Sequence, residues 1–341
     1  MKTKTATILL IVFIALVAVY VAFEKPFSNP YERSSAKTGK IYGSLKVQDI
    51  EKIEIRSKDN AATLMKSGSG WQVFEMDKFP ADAQNVDAII NTALEMEYTE
   101  PVSENPDKRS LYEVDEESGV RIRLFAAGDR LLADFIVGQQ SAEPGAAYVR
   151  LADSNEVMTQ KGLKKYQADK SPADWRNRIL LKFDIADITE ITIERPAIPE
   201  QGEKAQEGAR EKIVAAFDDG GNWTVLEPVE KPGKKTELDR VARLMATLRA
   251  MNIPDQNIEN TGLDNPEYTA TFKFKDGSSQ QLLIGTHTED DLNQFYATSA
   301  GSSYLYTLGK NQFSALEKRV SEITEEPPAE PEATEPETPA Q

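Results

Sequence analysis

Residues able to do chemistry are few and scattered. The single histidine, His287, stands in Gly285-Thr286-His287-Thr288-Glu289-Asp290-Asp291, where one imidazole and three carboxylates could surround a divalent cation. A lone imidazole in a run of solvated acids is more often an ordinary loop. No Gly-x-Ser-x-Gly elbow supplies a serine for it to activate. Ser34-Ser35-Ala36-Lys37 and Lys37-Thr38-Gly39 fit the Ser-x-x-Lys and Lys-Thr-Gly patterns of acyl-serine enzymes, but here they overlap. A working site draws those pieces from distant parts of the chain. With 56 Asp and Glu residues, some pair always resembles glycosidase carboxylates, so such pairs carry no information. Asp49 and Asp187, each before a strand, suit a turn or cap. There is no P-loop and no Gly-x-Gly-x-x-Gly. The sequence thus predicts a non-enzyme with no catalytic residue, cofactor or metal ligand.

The formal net charge is -16, and the stretch from Ser321 to Gln341 holds seven Glu with no Lys or Arg, leaving -9 on the rest. An acidic body lacks the cationic footprint that neutralises phosphates, which excludes nucleic acid as a partner and disfavours broad contact with anionic lipid headgroups. Cysteine is absent, so disulfides, thiolate chemistry and an acylated-cysteine anchor are excluded.

The elements that must position everything else begin with an uncharged run from Ala6 to Phe23 behind Lys2 and Lys4. As a helix it reaches about 27 Å, close to the ~30 Å hydrocarbon core. It predicts one transmembrane anchor after a cytoplasmic tail of residues 1–5. A cleaved signal peptide is the competitor, but Tyr20 before Ala22 and Leu16 before Ala18 spoil the small-x-small cleavage pattern. Lys25, Arg33, Lys37 and Lys40 follow the span and favour the opposite topology by charge counting. The short basic start matches an export signal and long domains translocate regardless of charge, so the body is expected outside the cytoplasm.

Beyond a linker over 24–40, the chain repeats itself. Leu45-x-Val47-x-Asp49-Ile50-x-x-Ile53-x-Ile55 matches Phe183-x-Ile185-x-Asp187-Ile188-x-x-Ile191-x-Ile193, and Gly70-Trp71-Gln72-Val73 returns as Asn222-Trp223-Thr224-Val225. Two apolar helical stripes follow, Val86, Ile89, Ile90, Ala93 and Met96, then Val241, Leu244, Met245, Leu248 and Met251. Val120-x-Ile122-x-Leu124 pairs with Ala270-x-Phe272-x-Phe274, each leading to a hairpin turn, at Gly128-Asp129 and Asp276-Gly277. Phe135 to Gly138 returns as Leu282 to Gly285, and Tyr148 as Tyr296. The fold class is therefore α+β: an N-terminal transmembrane helix, then two tandem units of antiparallel sheet plus one main helix each, over 41–168 and 181–320. A Pro, Glu and Gly-rich insertion from Pro196 to about Arg210 reads as a mobile loop. Residues 321–341 read as a disordered acidic tail.

In the connector, 169–180, the phrase Asp174-Trp175-Arg176-Asn177-Arg178 stands out. Trp175, Arg176 and Arg178 suit docking between the units, through indole stacking and guanidinium pairing, or alternatively a partner-binding patch. That phrase, the anchor, the strand phrase ending in Asp187-Ile188-x-x-Ile191-x-Ile193 and the Gly-x-Trp-x-Val pieces resemble domain-of-unknown-function family 4340, over roughly 41 to 320. The resemblance implies a membrane-anchored bacterial protein, encoded beside an ABC-type ATPase, its permease and an auxiliary protein similar to gliding-motility components. It supplies no catalytic residues. The expectation is a single-pass inner-membrane protein with a periplasmic body, a non-enzymatic accessory of an ABC-type transport system whose partner is the permease and ATPase complex or an auxiliary envelope protein. Two alternatives stand beside it: an independent periplasmic binding module for an envelope glycan or protein, and an unrecognised hydrolase.

Overall fold

Strand formation is plain in Lys52-Ile53-Glu54-Ile55-Arg56, where the two isoleucines are buried and the charged residues face the other way, the period of two that a one-sided sheet requires. In a computed structural model that describes residues 38–325 apart from 69, 203, 205 and 219, the chain divides into two compact units, Met1–Arg176 and Asn177–Gln341. The anchor Ala6–Phe23, the overlapping Ser-Lys motif's serines and the chain beyond Glu325 lie outside the described residues. Among the described residues no helix is long and apolar enough to cross a membrane.

The first unit carries β1 (Lys52–Arg56), β2 (Ala61–Ser67), β3 (Gly70–Val73), β4 (Phe79–Pro80), helix α1 (Ala83–Glu95), β5 (Val120–Ala126), β6 (Arg130–Gln140), β7 (Ala146–Leu151), β8 (Val157–Lys161) and the short α2 (Lys165–Ala168). The second carries β9 (Ile188–Pro196), β10 (Arg210–Phe217), β11 (Trp223–Glu227), β12 (Lys231–Pro232), α3 (Lys235–Met245), β13 (Tyr268–Phe274), β14 (Ser279–His287), β15 (Gln294–Ser299), β16 (Tyr306–Gly309), α4 (Lys310–Phe313) and α5 (Val320–Ile323). The sheet orders are β4-β3-β2-β1-β5-β6-β7-β8 and β12-β11-β10-β9-β13-β14-β15-β16. Every pairing is antiparallel, so the duplication extends to topology. Each sheet is covered on one face by its long helix. The inward residues are Val86, Ile89, Ile90 and Ala93 of α1, and Leu238, Val241, Ala242 and Met245 of α3.

Those inward sets correct the helix alignment. Val86 is equivalent to Leu238, three residues from the Val241 that the apolar spacing suggests, because a stripe of period 3.6 looks alike after a three-residue slide. Leu244, within the helix but outside its inward set, is 46% exposed, and Met251, beyond the helix end at Met245, is 47% exposed. The strands slide likewise. Ile53 and Ile55 face Leu124 and Ile122, while Ile191 and Ile193 face Phe272 and Ala270. Ile122 therefore corresponds to Ala270, two residues short of the sequence pairing with Phe272, since a two-residue slip preserves alternation.

Other pairings stand as the sequence placed them. Gly138 and Gly285 sit where a side chain could not: a Cβ would come within 2.2 Å of the Tyr112 carbonyl oxygen in one and 2.0 Å of that of Thr261 in the other. Trp71 and Trp223 stand near the start of equivalent strands, but Trp223 is 3% exposed, packed at a tilt against Phe217 and donating from Nε1 to Asp239 (2.8 Å), whereas Trp71 is half-buried.

Each unit closes on its own C-terminal segment. The Trp175 carbonyl accepts from the Asp82 N–H at the start of α1 (2.8 Å), and the Ile323 carbonyl accepts from the Lys234 N–H at the start of α3 (2.7 Å). Residues 321–325, which composition assigns to the tail, are thus part of the second unit: Val320 and Ile323 are buried and Glu325 N–H donates to the Pro232 carbonyl. The insertion after β9 is anchored there as well, with Arg319 Nε donating to the Pro199 carbonyl (3.0 Å) and Ser321 N–H to Glu200 (3.0 Å). Isolated bridges at Ala81↔Arg176, Ser103↔Val157, Gly233↔Thr324 and Asn252↔Thr307 blunt the outer strands, whose free backbone groups would otherwise recruit foreign strands.

Candidate functional site

The connector phrase is divided between the units. Trp175 lies fully buried in the first core, with the Lys170 ammonium 5.1 Å from its ring, and its Nε1 finds no acceptor among the described residues. Arg176 places its guanidinium 5.6 Å from the Phe79 ring, in the same unit. Arg178 belongs to the second unit, donating from Nη1 to the Met251 carbonyl (3.3 Å). Burial of the indole leaves the exposed Asp174 and the half-exposed Arg176, Asn177 and Arg178 as the part of the phrase that solvent reaches.

His287 ends β14, exposed, with Nδ1 3.0 Å from the Thr288 carbonyl oxygen. Asp291 caps its own turn, accepting from the Asn293 N–H (2.9 Å) and Gln294 Nε2 (3.2 Å), which holds its carboxyl below the usual range. Among the described residues no group of three or more His, Asp or Glu is placed to hold a metal. Asp49 and Asp187 end equivalent 3-10 turns, Val47–Asp49 and Ile185–Asp187, each leading into its sheet's central strand.

The larger differences between the units lie on the sheet faces away from the helices. Across β1, β5 and β6, register aligns Glu54, Arg123 and Asp134 in one row. Arg123 pairs with Glu54 (2.6 Å), and Arg121 holds Asp134 through both Nε (2.9 Å) and Nη2 (2.7 Å), which raises the Arg121 pKa. The row is a solvated ladder of cross-strand ion pairs. In the second unit the equivalent row across β9, β13 and β14 is Thr192, Thr271 and Gln281. All three are uncharged, and the arginine position is cut back to a hydroxyl. Gln281 Nε2 donates to Thr271 Oγ1 (2.9 Å). Beside the row, Lys273 pairs with Glu190 (2.8 Å), holding that carboxyl below its usual range, and Lys212 pairs with Glu227 (3.1 Å). Two shallow depressions, about 330 and 510 Å³, share Thr271.

A second concentration of charge sits where the C-terminal segment closes the second unit. Arg195 is fully buried: Nη2 donates to the Lys318 carbonyl (2.7 Å) and lies 3.0 Å from Glu211 Oε2 without alignment for a hydrogen bond. Its Nε and Nη1 have no partner among the described residues, and burial pushes its pKa down. Nearby, Tyr268 donates to Glu317 (2.7 Å) and Lys310 donates to the same oxygen (2.5 Å), its ammonium within 5.3–5.6 Å of the Tyr268, Phe295 and Phe313 ring centres. Burial, then the Glu317 contact, raises the Tyr268 pKa. At the matching corner of the first unit, Ser57 Oγ (2.6 Å) and Asn60 Nδ2 (2.9 Å) simply donate to Asp169.

A family model described as a domain of unknown function, DUF4340, matches the chain twice, over residues 71–253 and 223–335. The chain belongs to the DUF4340 family. Its two matches open on Trp71 and Trp223, the equivalent tryptophans. One DUF4340 match therefore begins at the third strand of each unit. No curated protein and no solved structure matches the chain.

Sequence reasoning did not single out the Thr192-Thr271-Gln281 row. Its signal was available in the duplication, as the place where outward charged residues of one copy become uncharged in the other. The two-residue slip hid it, by aligning Arg123 with Lys273 instead of Thr271. Nor was Arg195 legible: a charged residue in a strand reads as outward until the register shows otherwise.

Proposed function

We propose that this protein is a non-enzymatic accessory component of an ABC-type transport system, anchored in the inner membrane by Ala6–Phe23 and acting by contact through a body outside the cytoplasm. The observation that carries the reading is the far face of the first sheet, where Glu54, Arg123 and Asp134, the last held by Arg121, form an ion-paired row across β1, β5 and β6. Such a face suits macromolecular contact better than enclosure of a small reactant, which calls for a concave and mostly apolar pocket. The sequence resemblance adds the ATPase and permease as partners. Tethering to the same membrane raises the effective concentration of partner surfaces, so modest intrinsic affinity is enough.

The test is to cross-link the full-length protein in its native membrane and compare it with a soluble version beginning near Lys40. Recovery of an ATPase-permease complex with the anchored form alone is the expected result. Full complementation by the soluble version, with no permease captured, overturns the reading. Reporter fusions at Gly39 and beyond Glu325 should both report exposure outside the cytoplasm.

A further inference from the structure

We propose that the helix-free face of the second sheet is a binding face for a neutral glycan strand, seated on the row Thr192-Thr271-Gln281. Three features favour this ligand. First, the row is uncharged where its duplicate is ion-paired, with shorter or neutral side chains in place of an arginine and two carboxylates, and both depressions include Thr271 in their lining. Second, Thr271 and Gln281 have hydrogen-bonding capacity to spare, whereas Thr192 Oγ1 already donates to Glu190 (3.1 Å). With Gln281 Nε2 donating to Thr271 Oγ1, the threonine hydroxyl hydrogen remains to donate and Gln281 Oε1 to accept, a mixture that suits alternating hydroxyl groups. Third, the lysines beside it are already paired, Lys273 with Glu190 and Lys212 with Glu227, and the exposed Glu194 carboxylate stands next to Thr192 on the same face, so an anionic ligand would meet occupied cations and a like charge. Leu226 and Val214, lining the larger depression, offer an apolar shelf for the C–H face of a sugar ring.

A polypeptide fits this face less well. Strand addition requires an open sheet edge, and bridges at Gly233↔Thr324 and Asn252↔Thr307 blunt the outer strands of this sheet. Tight protein docking is anchored by aromatic or arginine residues filling pockets, which the row does not provide. Glycan binding here is independent of any role beside a transporter, because nothing in it requires the anchor.

The experiment titrates the full-length protein, in a detergent without a sugar headgroup, with chitohexaose, cellohexaose and maltohexaose, and with an uncharged Ser/Thr-rich peptide of similar length. At least one hexasaccharide should bind. The double variant T271R/Q281D, which copies Arg123 and Asp134 of the first unit, should weaken that binding by about tenfold or more, the loss of one or two hydrogen bonds. Thr271→Val, which keeps the shape and removes the hydroxyl, guards against misfolding of the double variant and should weaken binding severalfold. Failure of all three hexasaccharides, preference for the peptide, or unchanged binding in both variants overturns the proposal. Because permease capture is scored separately, either result leaves the transporter reading to its own test.

Discussion

The C-terminal corners of the two units occupy the same place in the same topology and are filled by different chemistry. In the first, Trp175 packs in a cluster with Val120, Ala147 and Ala168. In the second, the sheet registers and the short helices put Tyr268, Phe295 and Phe313 at the positions of those three small residues, and Ile323 at that of Trp175. Aromatic bulk has moved from the closing segment onto the sheet and the helix before it. Lys310 then lies against those rings, Glu317 answers it, and Arg195 is buried where the first unit has Ser57. Close-packed cores tolerate redistribution of volume if shape is recovered. What changes is the balance of forces that hold the closing segment: in one unit a buried indole with single-charge hydrogen bonds at Asp169 and Lys170, and in the other apolar burial supplemented by a network of opposite charges, Lys310 with Glu317 and Lys318 with Glu322.

The comparison breaks most directly at its two plugs. Trp175→Ala should cost about 3–5 kcal/mol, and Ile323→Ala about 2–5 kcal/mol. Hydrogen exchange read unit by unit should show each loss confined to its own unit. Equal loosening of both units by either variant would contradict the division at Arg176. A smaller separation is expected between the strand tryptophans. Trp223→Ala should fall in the 3–5 kcal/mol range of a fully buried aromatic, while the half-buried Trp71→Ala should cost clearly less, because less apolar surface leaves water. Denaturant titration of both variants would sharpen the ranking, and equal costs would place Trp71 in the core.

The least effect, and the most specific, concerns acid. Glu322 is held below the usual carboxylate pKa by the Arg319 N–H and then by Lys318, and Glu200 by Ser321. A carboxyl whose folded pKa is depressed stabilises the fold fully above its ordinary value of 4.5, and that contribution is lost as pH falls through the lowered value. Amides of α5 should therefore lose exchange protection below about pH 4.5, before those of Pro172–Trp175, which the buried indole holds. Simultaneous loss at both segments would mean that charge contributes nothing special to the second corner.

Much of the architecture is legible in the sequence. Ile53 and Ile55 against Ile191 and Ile193, the two tryptophan strands, the two hairpin turns and Gly138 with Gly285 identified a tandem α+β duplication, because period-two alternation and turn chemistry are local properties of the chain. Sequence alone could not decide register. A slip of two along a strand, or three along a helix, preserves the apolar pattern, and only hydrogen-bond pairing across the sheet ruled out the alternatives. Everything that depended on register was therefore decided by the tertiary structure. Trp175 became a plug of the first core, its counterpart turned out to be Ile323 in a stretch whose Glu content reads as tail, Arg195 turned inward, and Thr271 lined up with Arg123. The physical reason is common to all four: which residue faces which depends on long-range pairing, and burial of a particular side chain is a property of its neighbours across the sheet, which lie up to 120 or so residues away along the chain.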